Sequence, residues 1–230
     1  MRNTLGFRSA VLAGVAAIAF SVTGLFGAGV LNVLPLPWDP VIPDGASFVL
    51  ALAFMVMMAC IHHEAAPEDS VWSLVGLAFA ILYVADVTIV YMTIITFTSP
   101  ALVRGAGGAV PVAPFVFDAN GSFMSAVDGL GYFFQSMATL FAAFAFVGMG
   151  SRWLRRAFVL NGIVGFPVLL AYMPLVIPTP FYQVFEGRAA PWIATLPVEC
   201  FLAARHFRRL APIDAADATP RVRVATARPL

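Results

Sequence analysis

The amino-acid sequence predicts an all-α, polytopic membrane protein, a six-transmembrane-helix bundle with both termini in the cytoplasm. Composition is the first observation: 61% of the 230 residues are hydrophobic, and the mean hydropathy is +0.91. The second is charge, because only 11% of the residues are charged, whereas soluble domains average about 25%. The third is patterning, because the apolar residues fall into six long stretches. Together these observations exclude a disordered chain, a coiled coil and a typical soluble enzyme.

Each predicted span is long enough to cross a bilayer. A spanning helix needs about 20 mostly apolar residues, because backbone groups in hydrocarbon must pair within the segment. The six predicted spans are residues 9–32, 46–63, 71–96, 122–149, 153–176 and 190–207. They form one domain, residues 1–210, and the polar segment 211–230 is expected to be a disordered cytoplasmic tail. The first span is expected to remain as an anchor, since its apolar run exceeds the roughly 7–15 residues of a signal-peptide core.

Arginine placement predicts the orientation, since cytoplasmic loops concentrate positive charge. All 13 basic residues are arginine, and with six spans and a cytoplasmic N-terminus only Arg104 and Arg188 lie on the outer side. The absence of lysine excludes a lysine Schiff base, and this composition is typical of a GC-rich bacterial genome. We therefore predict a multi-pass protein of the plasma (inner) membrane. The net charge of +1 gives no indication of a nucleic-acid partner.

Two of the predicted outer connections differ in character. The first, residues 32–45, contains Pro35, Pro37, Pro40 and Pro43. We expect this segment to be stiff and extended. The second, residues 97–121, is long and half apolar, and a loop of this length usually has a role of its own. We expect it to fold over the outer face of the bundle as a lid.

Polar side chains form one continuous stripe along the fourth span. Successive residues of a helix are rotated by about 100°, and this rotation brings the polar residues of the span within about 120° of one another. The stripe consists of Ser125, Asp128, Gly129, Tyr132, Gln135, Ser136 and Thr139. In lipid each unsatisfied polar group costs several kcal/mol, so the stripe must face protein or water. The fourth span is therefore predicted to lie at the centre of the bundle.

Three further spans carry shorter polar faces, and these are expected to meet the fourth span in a common seam. The third has Gly76, Ala80, Tyr83, Asp86 and Thr93, the fifth has Asn161, Gly165 and Tyr172, and the sixth has Thr195, Glu199 and His206. Gly76 and Ala80 form a small-xxx-small pair, which lets a neighbouring helix approach closely. Spans one and two hold little polarity beyond Ser21 and Thr23, so we place them at the periphery.

The seam contains three acids, Asp86, Asp128 and Glu199, and no arginine lies at the same depth. An ionised acid without a basic partner is costly inside a bilayer, so each is expected either to carry a proton or to hold a cation. The predicted ligand- or ion-binding residues are Asp86, Asp128, Glu199, Tyr83, Tyr132, Gln135, Ser125, Thr139, Asn161, Tyr172 and Thr195. A structural alternative stays open, because Tyr132 and Thr195 lie four residues from Asp128 and Glu199 and can satisfy them by hydrogen bonding.

Three functions fit this pattern. The first is binding or transport of a small solute or cation, H⁺ or Na⁺ among them, through an acid-lined cavity between spans three to six. The second is an intramembrane enzyme acting on a lipid-like substrate, with Asp128 and Glu199 as acid and base. The third is a non-catalytic assembly or scaffold subunit, in which the seam only locks the helices together.

The sequence predicts neither a cofactor nor a metal site, and the lipid bilayer is the one partner that composition indicates. No nucleophile elbow, P-loop or zinc-protease motif is present in the sequence. His62 and His63 are adjacent, so on a helix their side chains point about 100° apart and do not converge on one metal ion. The oligomeric state has no signature in the sequence.

Overall fold

The computed structural model describes residues 2–24, 34–105, 112–116, 122–146, 152–171 and 191–217. Within these ranges the chain is helical and contains no strand, which confirms the predicted all-α class. The helices are α1 (Arg2–Gly24), α2 (Trp38–Glu64), α3 (Ser70–Thr93), α4 (Ser99–Val103), α5 (Phe123–Phe144), α6 (Arg152–Ala171) and α7 (Pro191–Asp217). A 3₁₀ turn, Pro67–Asp69, joins α2 to α3, and a π-helical turn, Ile94–Thr98, joins α3 to α4.

The long helices pack side by side in a closed ring. Helix α1 packs against α2 and α7, α3 packs against α2 and α5, and α6 packs against α5 and α7. Helices α1 and α7 run in opposite directions, because Gly6 lies against the ring of Phe207 while Gly14 lies against Phe201. The first turn of α1 and the C-terminal half of α7 therefore lie at the same end of the ring, which we call the terminal end.

Helices α3 and α5 also run in opposite directions. Gly76, near the start of α3, lies against Ala142, near the end of α5. Tyr91, near the end of α3, contacts Asp128, near the start of α5. Asn3 at the start of α1 lines one cavity with Glu64 at the end of α2 and Leu77 near the start of α3. The Pro67–Asp69 turn that precedes α3 is therefore at the terminal end, and the α3–α4 junction is at the opposite end.

Four helical segments are long and apolar enough to cross a membrane, which supports the membrane-protein class predicted from composition. They are Asn3–Gly24, Trp38–Glu64, Pro67–Val103 and Arg152–Leu170. Helices α5 and α7 are more polar. The first carries the polar stripe, and the second carries Glu199 together with Arg205, Arg208 and Arg209. For these two helices, crossing the membrane stays a prediction.

Helix α2 begins at Trp38, so the prediction of an extended connection through residue 45 is wrong. Pro40 lies in the first turn of α2, where a helix offers no intrahelical acceptor for the N–H that proline lacks. Pro43 lies further inside the helix and cannot donate to the carbonyl of Asp39. Because this segment is helical, Asp44 and Ser47 enter the interior of the ring, where both are buried.

The predicted loop 97–121 is helical in its first part, since the π-helical turn and α4 continue α3 to Val103. Residues 112–116 pack back on this extension. Thr98 Oγ1 donates to the carbonyl oxygen of Phe115 at 3.2 Å, and the rings of Phe97 and Phe115 meet edge to face at 5.5 Å. The remainder of the predicted lid, residues 106–111 and 117–121, lies outside the described residues.

The structure also corrects the predicted start of the C-terminal tail and the predicted position of spans one and two. Helix α7 continues to Asp217, into the segment 211–230 that the sequence assigns to a disordered tail, and residues 218–230 lie outside the described ranges. The peripheral position predicted for spans one and two is wrong, because α1 and α2 are members of the ring between α7 and α3. Apolar residues pack into a ring interior as readily as polar ones, and Leu50, Phe54 and Met57 of α2 are buried there.

Candidate functional site

The polar stripe of α5 is buried, as predicted, but α5 is one member of the ring, between α3 and α6, and does not lie at its centre. All members of the stripe are buried: Ser125, Asp128, Gly129, Tyr132, Gln135, Ser136 and Thr139. Phe123 and Leu130, on the other side of the helix, are exposed. Most of the stripe belongs to two groups of side chains, one near the middle of the ring and one nearer the α3–α4 end.

The first group, the amide–carboxylate cluster, consists of Gln135, Thr139, Asn161, Thr195 and Glu199. Gln135 Nε2 donates to Glu199 Oε1 at 3.0 Å, and Thr195 Oγ1 donates to Asn161 Oδ1 at 2.9 Å. Asn161 Nδ2 lies 3.0 Å from Thr139 Oγ1, 3.3 Å from Gln135 Oε1 and 3.4 Å from Glu199 Oε1. These bonds tie α5, α6 and α7 together around Glu199, which is 0% exposed.

The second group, the tyrosine–carboxylate cluster, consists of Tyr83, Asp86, Tyr91, Asp128 and Tyr132. The Tyr91 hydroxyl donates to Asp128 Oδ1 at 3.0 Å, and the hydroxyl oxygens of Tyr91 and Tyr132 are 3.0 Å apart. Asp128 is 2% exposed. Asp86 is close enough to Asp128 for their charges to interact. The cluster therefore joins two of the three predicted acids, on α3 and α5.

Asp86 is held in a close contact between α3 and α5. A Cβ added to Gly131 would overlap Asp86 Oδ2, so only glycine leaves room for the carboxyl here. That Oδ2 is buried and has no hydrogen-bond partner among the described residues. The ring of Tyr83 packs edge to face on Phe54 of α2 at 5.8 Å. Packing against α5 therefore fixes the position of the Asp86 carboxyl, whereas hydrogen bonds fix the position of the Glu199 carboxyl.

A cavity of about 350 Å³ lies beside the tyrosine–carboxylate cluster, at the α3–α4 end of the ring. We call it the carboxylate cavity, because Asp39 and Asp44 lie in its wall. The other wall residues are Phe20, Gly24, Leu36, Pro40, Pro43, Tyr91, Ile94, Thr98, Ser99, Leu102, Phe115, Val116 and Tyr132. Tyr91 and Tyr132 belong to both the wall and the cluster, so they separate the cavity from Asp128.

Three oxygen atoms of the cavity residues are buried without a hydrogen bond to any described residue: Asp39 Oδ1, Asp44 Oδ2 and Ser99 Oγ. Asp44 is 8% exposed and Ser99 is 1% exposed. An unpaired buried polar atom costs about 1–3 kcal/mol. Asp39 shares this wall with Asp44, and Asp128 is close enough to interact with it. The residues around this cavity therefore include two acids and three oxygen atoms without a hydrogen-bond partner.

The cavity predicted to be shared by Asp86, Asp128 and Glu199 stays a prediction. None of these three lies in the wall of the carboxylate cavity. Glu199 belongs to the amide–carboxylate cluster, where its contacts fit the interhelical hydrogen-bond alternative. Ser125 lies at the start of α5, where its backbone N–H donates to Ser122 Oγ at 3.1 Å. Tyr172 lies outside the described residues.

Sequence reasoning missed five residues of the cavity wall. Asp39 and Asp44 were placed in a connection, because the prolines around them suggested an extended segment, and Thr98 and Ser99 were placed in a loop. Tyr91 lies about 80° from Tyr83 around α3, outside the polar face predicted for that helix. A wider polar face on α3 would have included Tyr91. A helix that begins within the proline-rich segment would have included Asp44.

A second cavity, of about 440 Å³, lies at the terminal end and is mostly apolar. Its wall consists of Asn3, Leu5, Met55, Val56, Ala59, Cys60, His63, Glu64, Leu77 and Ile81. Among the residues with defined positions, no group of three or more His, Cys, Asp or Glu side chains is arranged to hold a metal ion.

No protein-family model, curated protein or solved structure matched the chain. No activity, substrate or partner is therefore carried over to it from a relative, and its function has to be inferred from the two clusters and the carboxylate cavity.

Proposed function

We propose that this protein is an integral membrane protein that binds a small, positively charged solute in the carboxylate cavity and transports it. The observation that carries the proposal is Asp44, a buried carboxyl with an oxygen atom that no described residue pairs, in the wall of a cavity of about 350 Å³. Small-molecule sites have volumes of about 300–1,000 Å³ and a few polar groups among apolar ones. A cation would pair with Asp44, whereas an anion would meet like charge.

The link between the cavity and the buried acids supports a role for H⁺ in this transport. Tyr91 lies in the cavity wall and donates to Asp128, which in turn interacts with Asp86 and Asp44. A nearby positive charge favours the ionised form of a carboxyl. Solute binding beside Asp44 would therefore release a proton from this group of acids, and H⁺ is the coupling ion that we propose.

The proposal includes six spans in a bacterial inner membrane, with both termini in the cytoplasm. Arg8, Arg152 and Arg155 lie at the terminal end of the ring, together with the arginines of α7. Arg104 lies just after α4, at the opposite end. With positive charge on the cytoplasmic side, the carboxylate cavity faces the outer side of the membrane.

A second candidate function is the non-catalytic assembly or scaffold subunit. The amide–carboxylate cluster favours it, since four buried side chains and the half-buried Thr195 hold three helices together without lining the carboxylate cavity. The intramembrane enzyme has no comparable support, because Asp128 and Glu199, its proposed acid and base, belong to separate clusters.

Calorimetric titration of the protein in lipid nanodiscs tests the binding step. We use three probes of similar shape, phenethylammonium, phenethyl alcohol and phenylacetate, and expect only the cation to bind. Asp44→Asn should weaken phenethylammonium binding at least about tenfold, since hydrogen bonds to charged groups contribute about 1.5–3 kcal/mol. Glu68→Gln, on the exposed turn before α3, is the matched control and should leave binding unchanged.

Equal binding of the three probes, or unchanged binding by a folded Asp44→Asn variant, would contradict the proposal. Repeating the titration in buffers of different ionisation enthalpy measures proton release, which should decrease in Tyr91→Phe. Currents recorded on a solid-supported membrane after addition of phenethylammonium test transport, and binding without such currents would leave a receptor rather than a transporter.

A further inference from the structure

We infer that the solute is a protonated primary amine with an apolar body, recognised through its N–H groups rather than through its charge alone. The inference rests on the proposed function and narrows its substrate class. It comes from a difference between the polar atoms of the cavity wall that are already hydrogen-bonded and those that are not.

The unpaired oxygens of the cavity residues come from two helices. Asp39 Oδ1 and Asp44 Oδ2 belong to α2, and Ser99 Oγ belongs to α4. A carboxylate oxygen can only accept a hydrogen bond, whereas a hydroxyl group has one donor proton and two lone pairs that accept. Two of these side chains, Asp44 and Ser99, are more than nine-tenths buried. Of these three unpaired groups, two are therefore acceptors only, and the third can accept as well as donate.

Two hydroxyl protons of the wall are directed away from a ligand. The proton of Tyr91 goes to Asp128 Oδ1, at 3.0 Å, and the proton of Thr98 goes to the carbonyl oxygen of Phe115, at 3.2 Å. Acceptors therefore predominate among the side-chain polar atoms of the wall residues that no described residue pairs. A primary ammonium group carries three donors and no acceptor, which complements this set better than an alcohol, an amide or a carboxylate does.

The rest of the wall is suited to an apolar or aromatic body. Leu36, Ile94 and Leu102 supply aliphatic surface, and Phe115 and Tyr132 supply aromatic rings. Aromatic faces attract organic cations as well as apolar groups. A ligand with an ammonium group at one end and a ring or alkyl group at the other could contact both kinds of surface within about 350 Å³.

Two other kinds of cation fit the wall less well. Metal ions need a convergent set of ligands, and no such group of His, Cys, Asp or Glu side chains occurs in the described part of the chain. A quaternary ammonium ion of the same body keeps the positive charge but has no N–H, so it would leave the unpaired oxygens unpaired. The cost of buried, unpaired polar atoms thus discriminates against it.

A methylation series of one ligand tests the inference without changing its charge. Phenethylammonium, its N-methyl and N,N-dimethyl derivatives and N,N,N-trimethylphenethylammonium are all cations at pH 7, and they lose their N–H donors one at a time. We expect the affinity, measured by calorimetry on the protein in nanodiscs, to fall along the series. The trimethyl compound should bind at least about tenfold more weakly than the primary amine.

Two substitutions separate hydrogen bonding from charge. Ser99→Ala should weaken binding of the primary amine about three- to tenfold and leave binding of the trimethyl compound unchanged. Asp44→Asn should weaken both. Removing an unpaired buried hydroxyl is nearly neutral for folding, so Ser99→Ala should remain as stable as the wild type. Thr96→Val is the control, because Thr96 is exposed and bonds only to its own helix.

The outcomes distinguish the inference from the proposed function. Equal affinity for the primary and trimethyl compounds would overturn the inference and leave a general cation site. The same holds if Ser99→Ala weakens both compounds alike. Failure of every cation in the series to bind would overturn the proposed function as well.

Discussion

Asp44 and Glu199 are both buried carboxyls, and their contacts give them different roles. Glu199 Oε1 accepts from Gln135 and lies within hydrogen-bond distance of Asn161, so residues of two other helices surround it. Asp44 Oδ2 has no such bond to a described residue and belongs to a residue in the wall of a cavity. Each acid has one buried oxygen without a hydrogen bond to a described residue, Glu199 Oε2 and Asp44 Oδ2. The two acids therefore differ in the bonds to Glu199 Oε1 and in the cavity, whose wall includes Asp44 and not Glu199.

Glu199→Ala is expected to destabilise the protein, because the buried amide of Gln135 would lose its acceptor. A donor left unpaired in the interior costs about 1–3 kcal/mol, and the cavity left by the side chain adds to this. Glu199→Gln retains the acceptor and the volume, so it should lose much less. Thermal unfolding in detergent micelles measures both variants, with the exposed Glu68→Ala as control. Wild-type stability of Glu199→Ala would show that the amide–carboxylate cluster does not hold α5, α6 and α7 together.

At the scale of helices, the contact between α3 and α5 depends on two glycines with different neighbours. A Cβ on Gly76 would lie 2.7 Å from the backbone carbonyl oxygen of Ala138, so the helices would have to separate. A Cβ on Gly131 would instead meet the side chain of Asp86. The first contact sets the distance between two backbones, as the small-xxx-small pair predicts. The second contact holds a carboxyl in place.

Gly131→Ala is expected to lower the unfolding temperature, because the added methyl group displaces Asp86, and such overpacking costs about 1–3 kcal/mol. Asp86→Ala should relieve the clash, since the Cβ of Asp86 is 3.7 Å from the added Cβ, an ordinary contact. The double variant should therefore lose less stability than the two single variants together. Gly45→Ala, which meets no atom within 4 Å, is the control. Simple additivity of the two changes would show that the methyl group acts on something other than Asp86.

At the scale of the whole molecule, the ring has two chemically different ends. The terminal end has the Pro67–Asp69 turn and the arginines of α6 and α7, and the other end has the carboxylate cavity and Arg104. This separation follows from the antiparallel packing of neighbouring helices, because each helix begins at the end of the ring where the previous one finishes. Such a difference between the ends is what an oriented membrane protein requires.

The proposed orientation predicts which cysteine labels react from outside. In a background with Cys60 and Cys200 replaced by alanine, Arg104→Cys should react with a membrane-impermeant maleimide in intact cells. Glu68→Cys, exposed on the turn at the terminal end, should react only after permeabilisation. Mass spectrometry of the labelled protein measures both. The reverse pattern would place the termini outside, and labelling of both sites in intact cells would contradict a membrane-spanning ring.

The sequence by itself determined the helical class, the membrane environment and the buried face of α5. These properties depend on residues close together in the chain. The composition of a helix determines whether it is stable in lipid or in water, and the rotation of about 100° per residue determines which side chains share a face. Asp128, Gln135 and Thr139 were therefore predicted on one buried face before any neighbour of α5 was known. The start of α2 was mispredicted, because a proline is tolerated in the first turn of a helix and disruptive later, and its position was unknown.

Only the tertiary structure decided which acids meet and which polar atoms stay unpaired. Asp86 joins Asp128 because α3 and α5 are neighbours in antiparallel register, whereas Glu199 on α7 lies against Asn161 and Gln135. Such contacts join residues far apart in the chain, and no periodicity within one helix encodes the neighbour, its direction or its axial shift. The cavity at Asp44 and Ser99 is of the same kind, since it is the space left where several helix ends and the segment around Phe115 meet.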